Sequence, residues 1–81
     1  LYLLTDALAN AGIEAGLEPE SSALLARQAM VGAGAHLEHA EEPAHVLKKR
    51  VTSPGGMTEA ALRVLEAENG GVPSLVTDAI I

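Results

Sequence analysis

The run Val51-Thr52-Ser53-Pro54-Gly55-Gly56-Met57-Thr58 holds the residue types best suited to chemistry on a small molecule. Three hydroxyl side chains, a proline and two adjacent glycines stand immediately before a helix-forming stretch. Gly55 and Gly56 permit positive φ and close approach of a ligand to the backbone. N–H groups at a helix start lie at the positive end of the helix dipole and favour an anion. On the helix that follows, Thr58, Ala61, Leu62 and Leu65 share a face. That stripe is otherwise apolar, so Thr58 is expected to point inward, toward a core or a pocket, with Glu59 and Arg63 on the other side. An inward hydroxyl beside an anion site can donate a hydrogen bond to the bound molecule. The residues alone leave a second reading open, a plain connector between helices in which Thr58 caps its own helix.

Other constellations point to packing or to a solvated surface. Gly32-Ala33-Gly34 lacks the preceding strand of a dinucleotide fingerprint, and Leu37 stands where its third glycine belongs. His36 and His39 are three apart and can share a helix face, near Glu38, Glu41 and Glu42. No third ligand follows at a family-like metal spacing, so a solvated helix end is expected and no metal site. His45 stands alone. Lys48-Lys49-Arg50 suits the negative end of a short helix.

Five helices are expected to position the loop. The first runs from Leu1 to about Ala15, with Leu4, Leu8, Ala11 and Ala15 at helical spacing and Gly16 as its stop. Pro19 opens a second that reaches about Ala40, with one stripe of Leu24, Gln28, Val31 and Ala35 and an adjacent one of Leu25, Ala29, Gly32 and His36. Pro43 restarts a short third helix, Ala44 to about Arg50. The fourth runs from about Thr58 to Glu68 and ends at Asn69-Gly70-Gly71. Pro73 opens the last. No segment alternates with period two, so the fold class is all-α. Gly32 and Gly34 should each cost about 1 kcal/mol relative to Ala inside a helix. Close approach of another backbone would offset that, and with Gly12 and Gly16 these glycines are expected to be helix–helix contact points, within or between chains.

The 81 residues make one domain at most. The chain is 48% apolar but has no Phe or Trp and a single Tyr, so its core is built of small aliphatic side chains and calls for a partner surface. A formal net charge of −6 disfavours nucleic acid. Without cysteine there is no disulfide or thiolate site, which is compatible with a reducing, cytoplasmic location. Apolar stretches are broken well below membrane-spanning length, so no membrane association is expected. The chain opens on Leu1-Tyr2-Leu3-Leu4 without initiator Met or N-cap, and residues are expected upstream.

The stretch from Val51 to Glu66, with Ser53-Pro54-Gly55-Gly56-Met57-Thr58 at its centre, resembles the signature of pyrroline-5-carboxylate reductases. The resemblance extends to Asp6-Ala7-Leu8, Gly12-Ile13, Gly16-Leu17, Gln28-Ala29, Gly32-Ala33, Ser74-Leu75 and Ala79-Ile80, and so covers nearly the whole chain. It implies a C-terminal helical domain, residues 1–81, that interlocks with a second copy as a dimer, with dimers assembling further into a ring of five. It implies an N-terminal Rossmann domain, absent from this chain, that binds NADPH or NADH. The implied substrate is 1-pyrroline-5-carboxylate, reduced to L-proline. By resemblance, backbone N–H groups at Gly56, Met57 and Thr58 hold its carboxylate, with Gly55 and Ser53 completing the loop. The Thr58 hydroxyl, the one catalytic group implied here, hydrogen-bonds the ring nitrogen. Three features depart from the family pattern. The connection from Glu66 to Gly71 is about two residues long for it, Val72 replaces a bulkier apolar residue, and Glu59 adds an anion beside an anion site. A non-catalytic helical oligomerisation module without a ligand is the alternative.

Overall fold

A computed structural model describes residues 1–81 as five α-helices without a strand. They are α1 (Tyr2–Glu14), α2 (Pro19–His39), α3 (Ala44–Arg50), α4 (Met57–Leu65) and α5 (Val72–Ile80). The all-α expectation holds. The chain divides into two compact units, residues 1–41 and 42–81.

In the first unit α1 packs against α2. Gly16 ends α1 with φ +111°, a conformation open to glycine at little cost. Its N–H donates to the carbonyl of Ile13 and the Leu17 N–H to that of Gly12, both at 3.0 Å, which is the double closure of a Schellman motif. Gly16 therefore acts through its backbone, and no contact is made at it within this chain, since nothing lies within 4 Å of a Cβ added there. Gly12 is such a contact point. A Cβ on it would meet Ser22 Oγ at 2.1 Å. Ser22 is 2% exposed, and its hydroxyl donates to the Ala9 carbonyl at 2.6 Å, tying α2 to α1. Ala26, one turn on, is also buried, and Met30 is half-buried. The covered face of α2 is thus the small row Ser22, Ala26 and Met30, four residues apart. The two stripes read along α2 carry Leu24, Leu25 and Val31, all exposed within this chain. Gly32 and Gly34 have nothing within 4 Å of an added Cβ, so their expected close approach is not made inside the chain.

In the second unit Leu47 is the buried apolar side chain, on α3. The basic last turn of α3 is held by ion pairs from Lys48 to Glu66 and from Arg50 to Glu42, and Thr52 Oγ1 donates to the Lys48 carbonyl at 2.7 Å. Helix α4 stops at Leu65, three residues before the expected Glu68. The cause is a fold-back of the connection. Gly71 is buried so tightly that a Cβ on it would lie 2.2 Å from the Ala67 carbonyl oxygen and 2.9 Å from that of Leu65. Gly70 makes the turn at φ +81°, and Pro73 sits in the first turn of α5.

Candidate functional site

Ser53 to Thr58 form a tight turn that runs directly into α4. The Gly56 N–H donates to the Ser53 carbonyl at 2.9 Å, closing a four-residue turn with Pro54 second and Gly55 third. Gly55 has φ +75°. Proline at the second position and a positive-φ glycine at the third are the signature of a type II turn. Gly56 then leaves the turn in extended conformation, φ −86° and ψ 177°, as the N-cap of α4. Its carbonyl accepts the first helical bond, from Ala60 N–H at 3.2 Å.

The donors of this segment can be followed one by one. Gly56 N–H is engaged inside the turn, and Gly55 N–H is engaged by the Glu59 carboxylate, Oε1 at 3.1 Å. The N–H groups of Met57, Thr58 and Glu59 occupy the first three positions of α4 and have no acceptor in the chain. These are the orphan donors every helix start carries, with the dipole of α4 behind them. The arrangement can accept a carboxylate on the backbone of Met57 and Thr58.

All five residues singled out in the loop, Ser53, Gly55, Gly56, Met57 and Thr58, come together on this turn and helix start. Thr58 differs from expectation in its exposure. It is the second residue of α4, and no side-chain cap bond closes that helix start. Its side chain is exposed, as are Ala61 and Leu65 on its stripe, while Leu62 of the same stripe is half-buried. The drawn-in side is the one Leu62 shares with Glu59. Glu59 and Leu62 are half-buried and, with Thr52, Arg63 and Glu66, line a shallow concavity beside the turn. Glu59 is therefore not on the outward face. It reaches back because a carboxylate at the third helical position can satisfy donors just before the helix. The spacing Gly56-Met57-Thr58-Glu59 carried that signal.

The remaining candidates stay apart from the loop. Gly32-Ala33-Gly34 lies inside the continuous helix α2, where its N–H groups serve the helix itself, so these residues do not fit a dinucleotide phosphate. His39 Nε2 lies 3.2 Å from Glu38 Oε1 at an exposed helix end, and no three His, Asp or Glu side chains gather as a metal site would require. No helix is long and apolar enough to cross a membrane.

Comparison with known proteins adds a family to this geometry. The family described as pyrroline-5-carboxylate reductase dimerisation matches residues 1–81. A pyrroline-5-carboxylate reductase of Glycine max is 37% identical over 81 residues, covering 100% of this chain and 29% of that protein. One from Mycobacterium leprae (strain TN) is 38% identical, covering 98% of this chain and 32% of that protein. Pyrroline-5-carboxylate reductase 2 of Homo sapiens is 39% identical over 79 residues, with 98% and 24% covered. Among solved structures, Plasmodium falciparum pyrroline carboxylate reductase with NADP bound superposes with a TM-score of 0.89 at 32% identity, over 96% of this chain and 29% of that one. The chain thus spans 24% to 32% of the length of these relatives.

Proposed function

This chain belongs to the pyrroline-5-carboxylate reductase dimerisation family, and on that premise we propose that it is the dimer-forming and substrate-seating part of an NAD(P)H-dependent reductase. The reaction is the reduction of 1-pyrroline-5-carboxylate to L-proline. The observation that carries this reading is the turn Ser53–Gly56 delivering the N–H groups of Met57 and Thr58, without acceptors, to the start of α4. A five-membered ring bearing a carboxylate and an imine needs one anion seat and one hydrogen-bonding group near its nitrogen. The backbone of Met57 and Thr58 supplies the seat, with Ser53 beside it. The Thr58 hydroxyl, one residue further along and exposed, is within the same turn of helix to meet the nitrogen. Gly55 and Gly56 contribute shape, since a side chain on Gly56 would press on the Ser53 carbonyl at 3.1 Å. The nicotinamide cofactor, which supplies the hydride, is proposed to bind outside this chain, because no residue set here suits a dinucleotide. This chain's part is to hold and orient the acceptor.

The dimer rests on exposed apolar side chains. The exposed apolar residues Leu24, Leu25 and Val31 on α2 and Leu75, Val76 and Ile80 on α5 are what such an interface would cover. The ring of five dimers and a cytoplasmic location belong to the same proposal.

The test uses the full-length protein, with NADPH oxidation followed on addition of 1-pyrroline-5-carboxylate. Turnover is expected, and Thr58→Ala should lower kcat/KM by about 10- to 100-fold, the loss of one hydrogen bond to a group gaining charge. Full-length protein without turnover and without proline binding would leave the oligomerisation module as the correct reading.

A further inference from the structure

Glu59 is the one charged side chain engaged with the loop backbone. Its Oε1 accepts from Gly55 N–H at 3.1 Å, four residues earlier in the chain. A carboxylate at the third position of a helix ordinarily satisfies the N-cap N–H. Here that donor, on Gly56, is already bound to the Ser53 carbonyl. The carboxylate instead takes the next donor back, at the residue with φ +75°. The turn is thereby closed twice, by Ser53 to Gly56 inside it and by Glu59 to Gly55 outside it. Both closures leave the N–H groups of Met57 and Thr58 pointing away from any acceptor in the chain. Glu59 is half-buried and lines a shallow concavity with Thr52, Leu62, Arg63 and Glu66.

Resting on the substrate seat proposed above, we infer that Glu59 is a positioning residue of that seat: its carboxylate clasps Gly55 and holds the turn in the shape that receives the substrate carboxylate. The clasp acts through the backbone and touches no reacting atom. A turn ordered before binding spares the ligand the entropy of ordering it, so the clasp is felt in affinity. Its negative charge opposes the incoming carboxylate, and the two effects are separable by substitution. Gln at position 59 retains an acceptor oxygen and removes the charge, whereas Ala removes both.

The experiment measures KM and kcat for 1-pyrroline-5-carboxylate in the full-length protein and its Glu59→Gln and Glu59→Ala variants. Glu59→Ala should raise KM by about three- to tenfold over that of Glu59→Gln, the range of one hydrogen bond, with kcat nearly unchanged. Glu59→Gln should keep KM at or below that of the parent. A Glu59→Ala KM at or below that of Glu59→Gln would overturn the clasp, because the two variants share the lost charge and differ in the acceptor oxygen. Absence of turnover in the unsubstituted protein would instead count against the substrate seat itself, so the two failures are distinct.

Discussion

Gly55 holds φ +75° at the third position of its turn, with nothing within 4 Å of an added Cβ. Steric room is therefore ample, and the obstacle to any other residue is the backbone conformation alone. An L side chain in that region costs about 1–2 kcal/mol. Gly55→Ala in the full-length protein should lower unfolding free energy by about 1 kcal/mol, read from the urea midpoint at constant slope, and should raise KM more than it lowers kcat. An unchanged midpoint together with an unchanged KM would mean that the turn does not hold this conformation in solution. The turn itself was readable from residue types, because Pro54 and Gly55 each favour one position of a type II turn for a local reason. The exposure of Thr58 was not readable. Helical spacing groups it with Ala61, Leu62 and Leu65, but which side is drawn in depends on Glu59 reaching back to Gly55 and on Leu62 lining the same concavity as Glu59 and Thr52. Those contacts are set by side-chain torsions and by the preceding connection, which periodicity does not encode.

At the scale of elements, helix ends followed the sequence where a local device makes them and departed from it where a distant contact does. Gly16 stops α1 by its own φ, while α4 stops early because Gly71 is pressed onto the backbone of Ala67 and Leu65. The pairing of α1 with α2 gives a prediction that opposes helix propensity. In an exposed helix Gly→Ala would stabilise by about 1 kcal/mol. At Gly12 the new methyl would stand 2.1 Å from Ser22 Oγ, and Ser22 is buried with its hydroxyl committed to the Ala9 carbonyl. Turning the hydroxyl away leaves it buried without its acceptor, and holding it forces the helices apart. Gly12→Ala should therefore destabilise by about 1–3 kcal/mol, the usual range for overpacking. Adding Ser22→Ala should recover part of that loss, since the remaining Ser22 Cβ contact is 3.3 Å. A double-mutant cycle with no coupling would remove the close approach from this account. By contrast, Lys48→Met should cost less than about 1 kcal/mol, because the Lys48–Glu66 pair is nearly half exposed on both sides.

For the whole molecule, the open question is what offsets Gly32 and Gly34, which stand inside α2 with nothing near them in the chain. Together they weaken that helix by about 2 kcal/mol relative to alanine. The exposed apolar residues on the same helix, Leu24, Leu25 and Val31, are also uncovered within the chain. One cause accounts for both: a second copy that lies close enough to α2 to require residues without side chains and covers the leucines beside them. The alternative is that the glycines are incidental, and the two predict opposite signs. If no partner approaches, Gly32→Leu and Gly34→Leu meet open space, strengthen the helix and leave association unchanged. If a second copy packs there, each leucine pushes the two chains apart by the width of a side chain, and the dimer should weaken by about tenfold or more, as expected of overpacking by 1–3 kcal/mol. Sedimentation of the full-length variants across a concentration series reads this directly. A dissociation constant that stays at the parent value, with a higher Tm, would show that α2 is not where the copies meet through its glycines. A dissociation constant that rises while the helical circular dichroism signal of the separated chains is kept would place the contact at that step of α2, since the loss would then lie in association and not in folding.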